Sequence, residues 1–570
     1  MSRWMVYAKK ADFNAIGEKY NIDPVIARII RNRDVCRDED ISRYVNADID
    51  MMHNPADMKD ADKAADILIE KIKNNKKIRI IGDYDIDGIC SITILLKGLI
   101  AAGANVDYTV PDRIVDGYGI NENLIDKALE DGVDTIITCD NGIAAIEQIN
   151  YGKEKGLTII VTDHHDIPFK EENGSKVYMS SQADAIVNPK QQECKYPYEL
   201  LCGAGVAYKL ITLLYGRLAL DKSDLQEYIQ LAAVATIGDI VELKDENRIL
   251  VKHGLKTMKD TKNIGLRTLI QECGVEIEDI SAYHIGFIIG PCLNASGRLD
   301  TAAKAVELLM ETDSDKVREM AQMLRSFNEE RKEMTEKQAK LAIEKVEAQA
   351  EQADNVLVVY LPDCHESIAG IIAGRVREHF YKPAIVITDA AEGAKGSGRS
   401  IEGYNMFEEL TRCRELLTKF GGHPMAAGLS LEKENIDVLR KQLNDNAELT
   451  EEVLTPVTWI DVPMPLDYVS MRLISQLELL EPFGKGNEKP IFADRNLVVR
   501  AASVIGKNAN VLKMQLQCAD GSVKEAIQFR ADKDDVPKRG EVLSVVYYPG
   551  VNDFKGKRTI QFIIQEWKRI

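Results

Sequence analysis

Several common sequence features are missing from this chain of 570 residues. No run of apolar residues approaches the roughly 18 that a membrane-spanning helix needs. The N-terminus has neither the apolar core nor the small-residue cleavage site of a secretory signal. The ten cysteines include no Cys-x-x-Cys pair, which argues against a zinc ribbon and against a disulfide framework. We therefore expect a folded, reduced, cytoplasmic protein that does not contact a membrane.

Negatively charged residues outnumber positively charged ones over the whole chain. The chain has 91 Asp and Glu against 73 Lys and Arg, a net charge of −18. Such a balance disfavours nonspecific adhesion to phosphate backbones, so any nucleic-acid binding has to be local. From Arg500 to Ile570 the balance reverses, with 13 Lys and Arg against 8 Asp and Glu, and aromatic residues lie between the cations. This block predicts a basic surface with stacking rings, although about half of its aromatics are expected in a core.

The pattern of apolar residues predicts several domains. From Lys77 onward, short β-rich runs alternate with helical ones, and runs such as Thr135 to Cys139 are apolar on both faces, which is typical of a helix-covered parallel sheet. We predict a helical or mixed segment over 1–70, an α/β domain over 71–310 and a long exposed connecting helix over 311–355. A smaller α/β domain over 356–455 and a β-barrel over 456–570 follow.

Carboxylates and histidines follow three of the predicted strands. The first strand ends in "GDYDIDG", the second in "TCDNG" and the third in "TDHHD". A lone aspartate after a strand is more often a cap or turn former than a ligand. Three clusters at one edge of one sheet repel each other unless a cation neutralises them. Hard oxygens with imidazoles, and no thiolate, predict Mn²⁺ or Mg²⁺ at this edge. The residues concerned are Asp83, Asp85, Asp87, Asp140, Asp163, His164 and His165.

With a fourth stretch, "TIGDIV" containing Asp239, these motifs resemble the DHH phosphoesterase superfamily. Within it they are most similar to the RecJ family of single-strand-specific exonucleases. "DGYGI", "CGAGVAYKL" and "LNASGRL" carry the same resemblance. "GSGRS" and "FGGHPMAAGLSL" are similar to the DHHA1 domain, and "LLEPFGKGNEKPIF" is similar to the entry into an OB-fold. The resemblance implies a DHH domain, a DHHA1 domain and an OB-like barrel.

The resemblance also implies roles for individual residues. The expected metal ligands are Asp85, Asp87, Asp140, His164 and Asp239, with Asp140 bridging two ions of Mn²⁺ or Mg²⁺. Asp83 and Asp163 are expected to orient neighbouring groups, and His165 to contact the scissile phosphate. In the family, the glycine-rich loops of the DHHA1 domain hold substrate phosphates, which here points to Arg399, Ser400, Gly421, Gly422 and His423. Apart from the resemblance, Arg113 and Arg298 are candidate phosphate contacts, although an isolated arginine is more often a surface residue. In the barrel, the expected nucleic-acid contacts are Tyr547, Lys555, Lys557 and Arg558.

Two positions depart from patterns common among relatives. Ile81 stands where some phosphatases of the superfamily carry a histidine, which predicts a thinner ligand shell for one ion. Asn141 stands where a cysteine is common, and we expect this change to be tolerated because the ligand is Asp140.

The resemblance implies a two-metal exonuclease that degrades single-stranded DNA from the 5′ end to 5′-mononucleotides in repair and recombination. Single-stranded DNA is the expected partner, together with a single-strand-binding protein and a helicase. One alternative is a phosphodiesterase for short oligonucleotides or cyclic dinucleotides, which needs no basic barrel. Another is a non-catalytic nucleic-acid-binding scaffold, which is expected to have lost its metal ligands.

Overall fold

The computed structural model describes residues 2–113, 116–172, 174–348, 354–506, 509–554 and 556–570. They form an N-terminal segment, two α/β units joined by a helical region, and a C-terminal barrel. This confirms the predicted fold class. In the part of the chain that the structure describes, no helix has the length and apolar character needed to cross a membrane.

The N-terminal segment is one strand and three helices. They are β1 (Arg3–Val6), α1 (Phe13–Tyr20), α2 (Pro24–Asn32) and α3 (Asp38–Asn46). The side chain of Asp23 caps α2, and a proline at the first position suits a helix start. One face of α2 carries Ile26, Ile29 and Ile30, which are buried in the core of the C-terminal barrel. The segment is therefore part of the barrel's structure.

The first α/β unit is built around a parallel sheet and carries one exposed hairpin. Its elements are α4 (Ala61–Lys73), β2 (Lys77–Gly82), α5 (Ile86–Ala101), β3 (Asn105–Thr109), α6 (Glu122–Glu130), β4 (Thr135–Cys139), α7 (Ile146–Glu154), β5 (Thr158–Thr162), β6 (Phe169–Glu172), β7 (Ser175–Tyr178) and β8 (Ala185–Val187). The sheet order is β3-β2-β4-β5-β8, and all its pairs are parallel. The central strands are rich in Ile, Val and Thr and are buried on both faces, as helices on both sides require.

A helical region follows the sheet. It contains α8 (Gly203–Leu218), α9 (Leu225–Gly238), α10 (Asp245–Met258), α11 (Ile264–Glu272), α12 (Ala282–His284), α13 (Gly290–Leu299), α14 (Ala303–Met310) and α15 (Ser314–Ala348). A π-helical turn, Ile285–Ile289, joins α12 to α13. The long helix α15 was expected to be exposed, but one side of it packs on α11 and α13 and buries Val317, Ala321 and Leu324. The apolar positions on that side explain the difference.

The second α/β unit has a mixed sheet. Its elements are β9 (Leu357–Tyr360), α16 (Glu366–Phe380), β10 (Ala384–Asp389), β11 (Ala394–Arg399), α17 (Met406–Arg412), β12 (Leu417–His423), β13 (Ala426–Leu431) and α18 (Ile436–Asn446). The sheet order is β12-β13-β11-β10-β9, with only β9 and β10 parallel among these described strands. The glycine-rich strands β11 and β12 lie on either side of β13. Residues of all three strands line a groove together with Tyr84, Arg113 and Arg298.

The C-terminal unit is a closed barrel with a long hairpin. Its elements are β14 (Val457–Ile460), β15 (Val462–Pro463), α19 (Met471–Leu477), β16 (Phe492–Ile505), β17 (Val511–Gln517), β18 (Val523–Phe529), β19 (Val542–Phe554) and β20 (Lys557–Arg569). The order is β15-β16-β17-β18-β20-β19, and pairing of β16 with β19 closes the ring. Closure removes the open sheet edges that invite aggregation.

Two buried arginines fasten the N-terminal segment to the rest of the molecule. The Arg33 guanidinium lies 2.7 Å from the Asp461 carboxylate of the barrel, and both side chains are buried. Arg248 of α10 stacks on the ring of Tyr44, 4.0 Å from its centroid, and donates to the Tyr44 carbonyl oxygen at 3.0 Å. Its other nitrogens donate to the carbonyl oxygens of residues 479 and 480 before the barrel. Arg248 thus connects three parts of the chain.

Candidate metal centre and substrate groove

The three acidic clusters lie together at one edge of the parallel sheet. The strands β2, β4 and β5 are hydrogen-bonded neighbours. Asp83, Asp140 and Asp163 each follow one of these strands directly, and all three are buried. Because parallel strands end at the same edge, their carboxylates face a common site.

The loop after β2 is held by hydrogen bonds to the first turn of α5. Asp85 caps α5 and accepts hydrogen bonds from the amides of Asp87 at 2.9 Å and Gly88 at 3.1 Å. A Cβ atom on Gly88 would lie 2.3 Å from the carbonyl oxygen of Asp83, so glycine is required for the backbone to approach this closely. The turn therefore brings three aspartates to the sheet edge without a collision.

Asp87 is fully buried against the N-terminus of α8. Its two carboxylate oxygens accept hydrogen bonds from the amides of Gly203 at 2.6 Å and Ala204 at 2.7 Å. The first amides of a helix have no partners within the helix, and the positive end of the helix dipole favours a negative charge there. This arrangement fixes the orientation of the Asp87 carboxylate.

Asp140 has a left-handed backbone, with φ of 59°. The neighbouring Asn141 holds this turn, because its side-chain amide donates to the carbonyl oxygens of Ile81 at 3.1 Å and Cys139 at 2.8 Å. The amide of Asn141 thus bonds within the sheet and leaves Asp140 facing the cluster. The side chain of Ile81 packs in an apolar core cluster and offers no ligand atom.

His164 lies among three of the aspartates. Its Nε2 atom is 3.1 Å from Oδ1 of Asp140 and 3.6 Å from Oδ2 of Asp87. Oδ2 of Asp239, which follows α9, is 3.8 Å from the same nitrogen. Burial lowers the pKa of His164, which favours the neutral ring that a metal ligand requires.

His165 has the opposite charge preference. Its Nδ1 atom lies 2.7 Å from Oδ1 of Asp163. Although burial opposes the charged ring, this carboxylate raises the pKa of His165 to about 9. The side chain of Asp163 also accepts the backbone amides of His164, His165 and Ile143, so it holds both its own loop and the loop after β4. The His165 ring is part-exposed and faces the open side of the site.

The ligand atoms fit a divalent cation. They form three overlapping groups within 4.8 Å: Asp83, Asp85 and Asp140; Asp140, His164 and His165; Asp87, His164 and Asp239. Burial, reinforced by neighbouring carboxylates, raises the pKa of Asp83, Asp85 and Asp140, and raises the pKa of Asp239 to about 8. Oδ1 of Asp83 and Oδ1 of Asp140 are buried and accept no well-aligned hydrogen bond from the described residues, although Nε2 of His164 lies 3.1 Å from Oδ1 of Asp140. A cation with a preference for oxygen and imidazole ligands, such as Mn²⁺ or Mg²⁺, satisfies these atoms.

A groove beside the cluster separates the two α/β units. Its first wall carries Arg113, whose guanidinium lies 3.9 Å from the Tyr84 ring centroid, and Arg298, which donates to the carbonyl oxygen of Ser367 at 2.6 Å. Arg399, from β11, lines the opposite wall. Burial and the charge of Arg113 lower the pKa of Arg298 to about 10. Among the described residues, none of the three arginines forms an ion pair with a carboxylate, so the groove suits an anion.

The remaining predicted phosphate contacts occupy three different environments. Gly421 lines the groove with Arg399. Gly422 and His423 are exposed at the end of β12. The prediction for Ser400 needs correction: its side chain is buried, and its hydroxyl donates to the carbonyl oxygen of Tyr404 at 2.6 Å. The strand ends at Arg399, and the chain then turns the next side chain inward.

One predicted barrel contact also needs correction. Tyr547 is fully buried, packs between Phe492 and Phe562, and donates its hydroxyl to the carbonyl oxygen of Met464 at 2.8 Å. Its place on an inward-facing position of β19 prevents it from stacking on a base. Lys557 and Arg558 are exposed where β20 begins, whereas Lys555 lies outside the described residues.

Sequence reasoning missed two residues that hold the site. Tyr118 donates its hydroxyl to the carbonyl oxygen of Asp140 at 2.9 Å and lies 3.4 Å from the His165 ring nitrogens. The side-chain oxygen of Asn294, on α13, accepts the amide of Ile86 at 2.8 Å. Both residues occur in the quoted stretches "DGYGI" and "LNASGRL", but the sequence does not reveal which partners they contact.

Comparisons with known proteins agree with this geometry. The chain matches the family model described as the DHH family, N-terminal domain, over residues 77–236. It matches the DHHA1 domain over residues 353–449 and the RecJ OB domain over residues 460–566. The first match covers the parallel sheet together with α8 and most of α9, the second covers the second α/β unit, and the third covers the barrel.

Several relatives that match nearly the whole chain are RecJ proteins. The single-stranded-DNA-specific exonuclease RecJ of Bacillus subtilis is 36% identical over 570 residues, which cover 99% of this chain and 70% of that protein. The RecJ of Haemophilus influenzae is 31% identical over 96% of this chain and 97% of its own length. The crystal structure of RecJ in complex with Mn²⁺ from Thermus thermophilus has a TM-score of 0.84 and 26% identity, and covers 99% of this chain and 79% of that one. A complex of RecJ from that organism with Mg²⁺ has also been solved. This chain belongs to the RecJ family of DHH phosphoesterases.

Proposed function

We propose that this protein is a metal-dependent exonuclease that hydrolyses single-stranded DNA from the 5′ end and releases 5′-mononucleotides, in DNA repair and recombination. The observation that carries the proposal is a buried carboxylate and imidazole cluster next to an arginine-lined groove, whose wall includes Tyr84 between Asp83 and Asp85, in a chain of the RecJ family. A phosphodiester needs both a site for hydrolytic chemistry and a site for its negative charge.

Two Mn²⁺ or Mg²⁺ ions fit the three ligand groups, with Asp140 shared between two of them. The proposed ligands are Asp85, Asp87, Asp140, His164 and Asp239. Asp83 was expected to orient other groups, but its unpaired Oδ1 within the Asp85 and Asp140 group favours a direct contact with the cation. This additional oxygen offsets the absence of a ligand at Ile81. The bound ions supply an activated water and stabilise the charge that develops on the phosphate.

The protein groups around the cluster position the substrate. The Asp163 carboxylate raises the pKa of His165 and so favours its charged ring, and because Asp163 engages Nδ1, Nε2 is left to donate toward a phosphate oxygen. The hydroxyl of Tyr118 lies beside the same ring. These groups hold the scissile phosphate next to the aspartates, and no side-chain nucleophile is required.

The arginine groove is proposed to hold the phosphate at the end of the strand. Arg298 and Arg113 come from the first unit and Arg399 from the second, so a phosphate between them contacts both walls. A guanidinium presents paired donors that match phosphate oxygens. Because the groove adjoins the cluster through Tyr84, it fixes the distance from the strand end to the bond that is cut. That arrangement releases short products.

The barrel is proposed to bind the strand beyond the active site. Lys557 and Arg558 are exposed on its long hairpin, and Lys555 remains a proposed contact from the sequence alone. A basic surface of this type binds the backbone without reading the sequence. A single-strand-binding protein and a helicase remain proposed partners, and cytoplasmic localisation follows from the proposed DNA substrate.

The deciding experiment uses one single-stranded oligonucleotide labelled separately at its 5′ and 3′ ends, with Mn²⁺, Mg²⁺ or a chelator. We expect early release of the 5′ label as a mononucleotide, and no cleavage with the chelator. Asp140→Asn keeps a side chain that tolerates a left-handed backbone but removes the charge, and it is expected to retain below about 1% of the rate. Asp445→Ala, which changes an exposed aspartate of α18, is the matched control.

Three results would contradict the proposal. Early release of the 3′ label would reverse the polarity. Cleavage of di- and trinucleotides alone would favour a phosphodiesterase for short oligonucleotides. Binding of the strand without metal-dependent cleavage would favour a non-catalytic scaffold.

A further inference from the structure

We propose that Cys273 and Cys292 form a site of reversible oxidation by hydroperoxides, in which the two thiols close to a disulfide. The two Sγ atoms are already in contact, 3.6 Å apart. All ten cysteines fall within the described residues and all are free. The pair lies outside the metal cluster and the groove.

The pair connects three helices. Cys273 follows the last turn of α11 and is part-exposed, whereas Cys292 is buried in α13. Asn328, from the long helix α15, donates its amide to Sγ of Cys292 at 3.4 Å. Gly274 has φ of 71°, so the chain reverses direction directly after Cys273. A residue at a helix end can shift without breaking a run of backbone hydrogen bonds, which allows the remaining approach of the two sulfurs.

The surroundings give the two thiols different chemistry. The contact with Cys292 lowers the pKa of Cys273, and the nearby cations Arg325 and Lys332 of α15 act in the same direction. Burial and the charge of Glu272 oppose them. The exposed thiol is thus the more nucleophilic, and its buried neighbour is poised to resolve the product. This is the arrangement found in thiol pairs that sense oxidants.

The reaction balances with a hydroperoxide as oxidant. The Cys273 thiol first loses its proton to solvent. The thiolate then attacks one peroxide oxygen, the S–O bond forms as the O–O bond breaks, and the departing oxygen takes up a proton and leaves as water or an alcohol. The Cys292 thiol then attacks the sulfenic sulfur, the S–S bond forms, the S–O bond breaks and the hydroxyl leaves as water with the thiol proton. Two thiols lose two electrons and the hydroperoxide gains them. A dithiol reverses the process by exchange.

Closure to a disulfide requires the sulfurs to approach to about 2.05 Å. Cys292 then gives up its contact with the carbonyl oxygen of Ile288, in the π-helical turn that leads into α13. The same helix α13 carries Asn294, which holds the metal-binding loop, and Arg298, which lines the groove. A small displacement of α13 therefore reaches both parts of the site. We infer that oxidation slows the nuclease on the order of tenfold; this consequence rests on the proposed function.

Peptide mass mapping tests the disulfide without any activity measurement. The full chain is treated with hydrogen peroxide, free thiols are blocked with iodoacetamide, and the digest is compared with and without dithiothreitol. We expect a peptide pair linked through Cys273 and Cys292 that disappears on reduction. The control variant Cys36→Ser, which removes an exposed thiol, is expected to give the same linked pair. Oxidation of Cys36 in the wild type while both thiols of the pair stay free would overturn the proposal.

The exonuclease rate tests the consequence. Peroxide is expected to slow the wild type and Cys36→Ser about tenfold, with recovery in dithiothreitol, and to leave Cys273→Ser and Cys292→Ser unchanged. Cys273→Ser alters a part-exposed helix end, so it remains informative if the buried variant fails to fold. Equal loss in Cys273→Ser, or full activity in protein that carries the disulfide, would overturn the link to the active site. Absence of nuclease activity before oxidation would instead refute the proposed function, and the mass result would still decide the disulfide.

Discussion

Oδ1 of Asp163 lies 2.7 Å from Nδ1 of His165 and also accepts the backbone amides of His164 and His165. In Asp163→Asn we expect the pKa of His165 to fall from about 9 toward its ordinary value near 6.5. The ring then loses its charge as the pH rises through that value, whereas the wild-type ring stays charged. The exonuclease rate is expected to fall about 10- to 100-fold, and to fall more at pH 8 than at pH 6.

The measurement is the pH dependence of the rate, with the ring titration followed by NMR. Asp166→Asn is the matched control, because that carboxylate pairs with Lys190 rather than with a histidine. A loss of equal size at pH 6 and pH 8 would argue against Asp163 as the charge partner of His165.

The groove predicts a dependence on the phosphate at the strand end. Arg399→Ala removes one guanidinium from the wall formed by the second unit. Since a hydrogen bond to a charged group contributes about 1.5–3 kcal/mol, we expect the KM for a 5′-phosphorylated strand to rise about 10- to 100-fold. A strand with a 5′-hydroxyl lacks the terminal phosphate, so its KM is expected to rise less. The difference in KM between the two substrates is therefore expected to shrink.

Steady-state kinetics on the two matched oligonucleotides provide the test. Arg412→Ala changes an exposed arginine of the same unit, outside the groove, and is expected to leave both KM values as they are. An equal rise in KM for both substrates would show that Arg399 does not contact the terminal phosphate.

The barrel hairpin predicts a salt-dependent contribution to binding. Lys557→Ala and Arg558→Ala each remove one exposed cation near the start of β20. Each is expected to weaken binding of a long single strand and to reduce the slope of log K against log salt by about 0.7, the value for one phosphate contact. Cleavage of a very short strand is expected to stay unchanged, because such a strand does not reach the barrel.

Fluorescence anisotropy over a series of salt concentrations measures this slope. Arg318→Ala, on the exposed side of α15, serves as the control. An unchanged slope in both hairpin variants would place the DNA on another face of the barrel.

The acidic site was largely predictable from the sequence because most of its residues directly follow strands that can be recognised from short stretches of sequence. Asp83, Asp140 and Asp163 follow runs of β-branched residues, and parallel strands end at one edge by rule. Asp239 follows a helix far along the chain, and only the family resemblance connected it to the others. The contacts of Tyr118 and Asn294 depend on how separate segments pack, and no spacing rule encodes that packing.

The barrel was less predictable for the same reason. Whether Tyr547 faces the core or the solvent depends on strand register, and a shift of one residue reverses the answer. The N-terminal segment had no readable role, because its partners come from the opposite end of the sequence. β1 pairs with β14 in parallel, and the Arg33 guanidinium meets the Asp461 carboxylate. Such nonlocal contacts leave no pattern in either segment alone.

Arg248 predicts how strongly these distant parts depend on each other. Its side chain is buried and donates to three backbone carbonyl oxygens, one from α3 and two from the segment before the barrel. Arg248→Met keeps much of the packing volume but removes all three hydrogen bonds, while the carbonyl oxygen of Leu480 keeps the side-chain amide of Asn487 at 2.8 Å. We expect the free energy of unfolding to fall by about 3 kcal/mol. Urea unfolding measures the change, and Arg318→Met, at an exposed site, is expected to stay within about 0.5 kcal/mol of the wild type. A loss of unfolding free energy no larger than that of the control would show that Arg248 does not hold these parts of the chain together.

The metal centre predicts a pH-dependent effect of metal on stability. Burial and the charges of Asp87 and Asp85 raise the pKa of Asp239 to about 8 in the metal-free protein, far above the value near 3.9 of an unfolded chain. The proton on Asp239 therefore favours the folded state, and this contribution is lost as the pH rises through about 8. In the proposed metal centre, Mg²⁺ would take the place of that proton. We expect the Tm of chelated protein to fall between pH 6.5 and pH 9, and the gain in Tm from Mg²⁺ to grow over the same range.

Differential scanning calorimetry measures both the Tm of the chelated protein and the gain in Tm from Mg²⁺. Asp239→Asn has no titrating carboxyl at this position, so the gain in Tm that Mg²⁺ gives this variant is expected to vary less with pH. A gain that shrinks as the pH rises would mean that Asp239 does not face the cation.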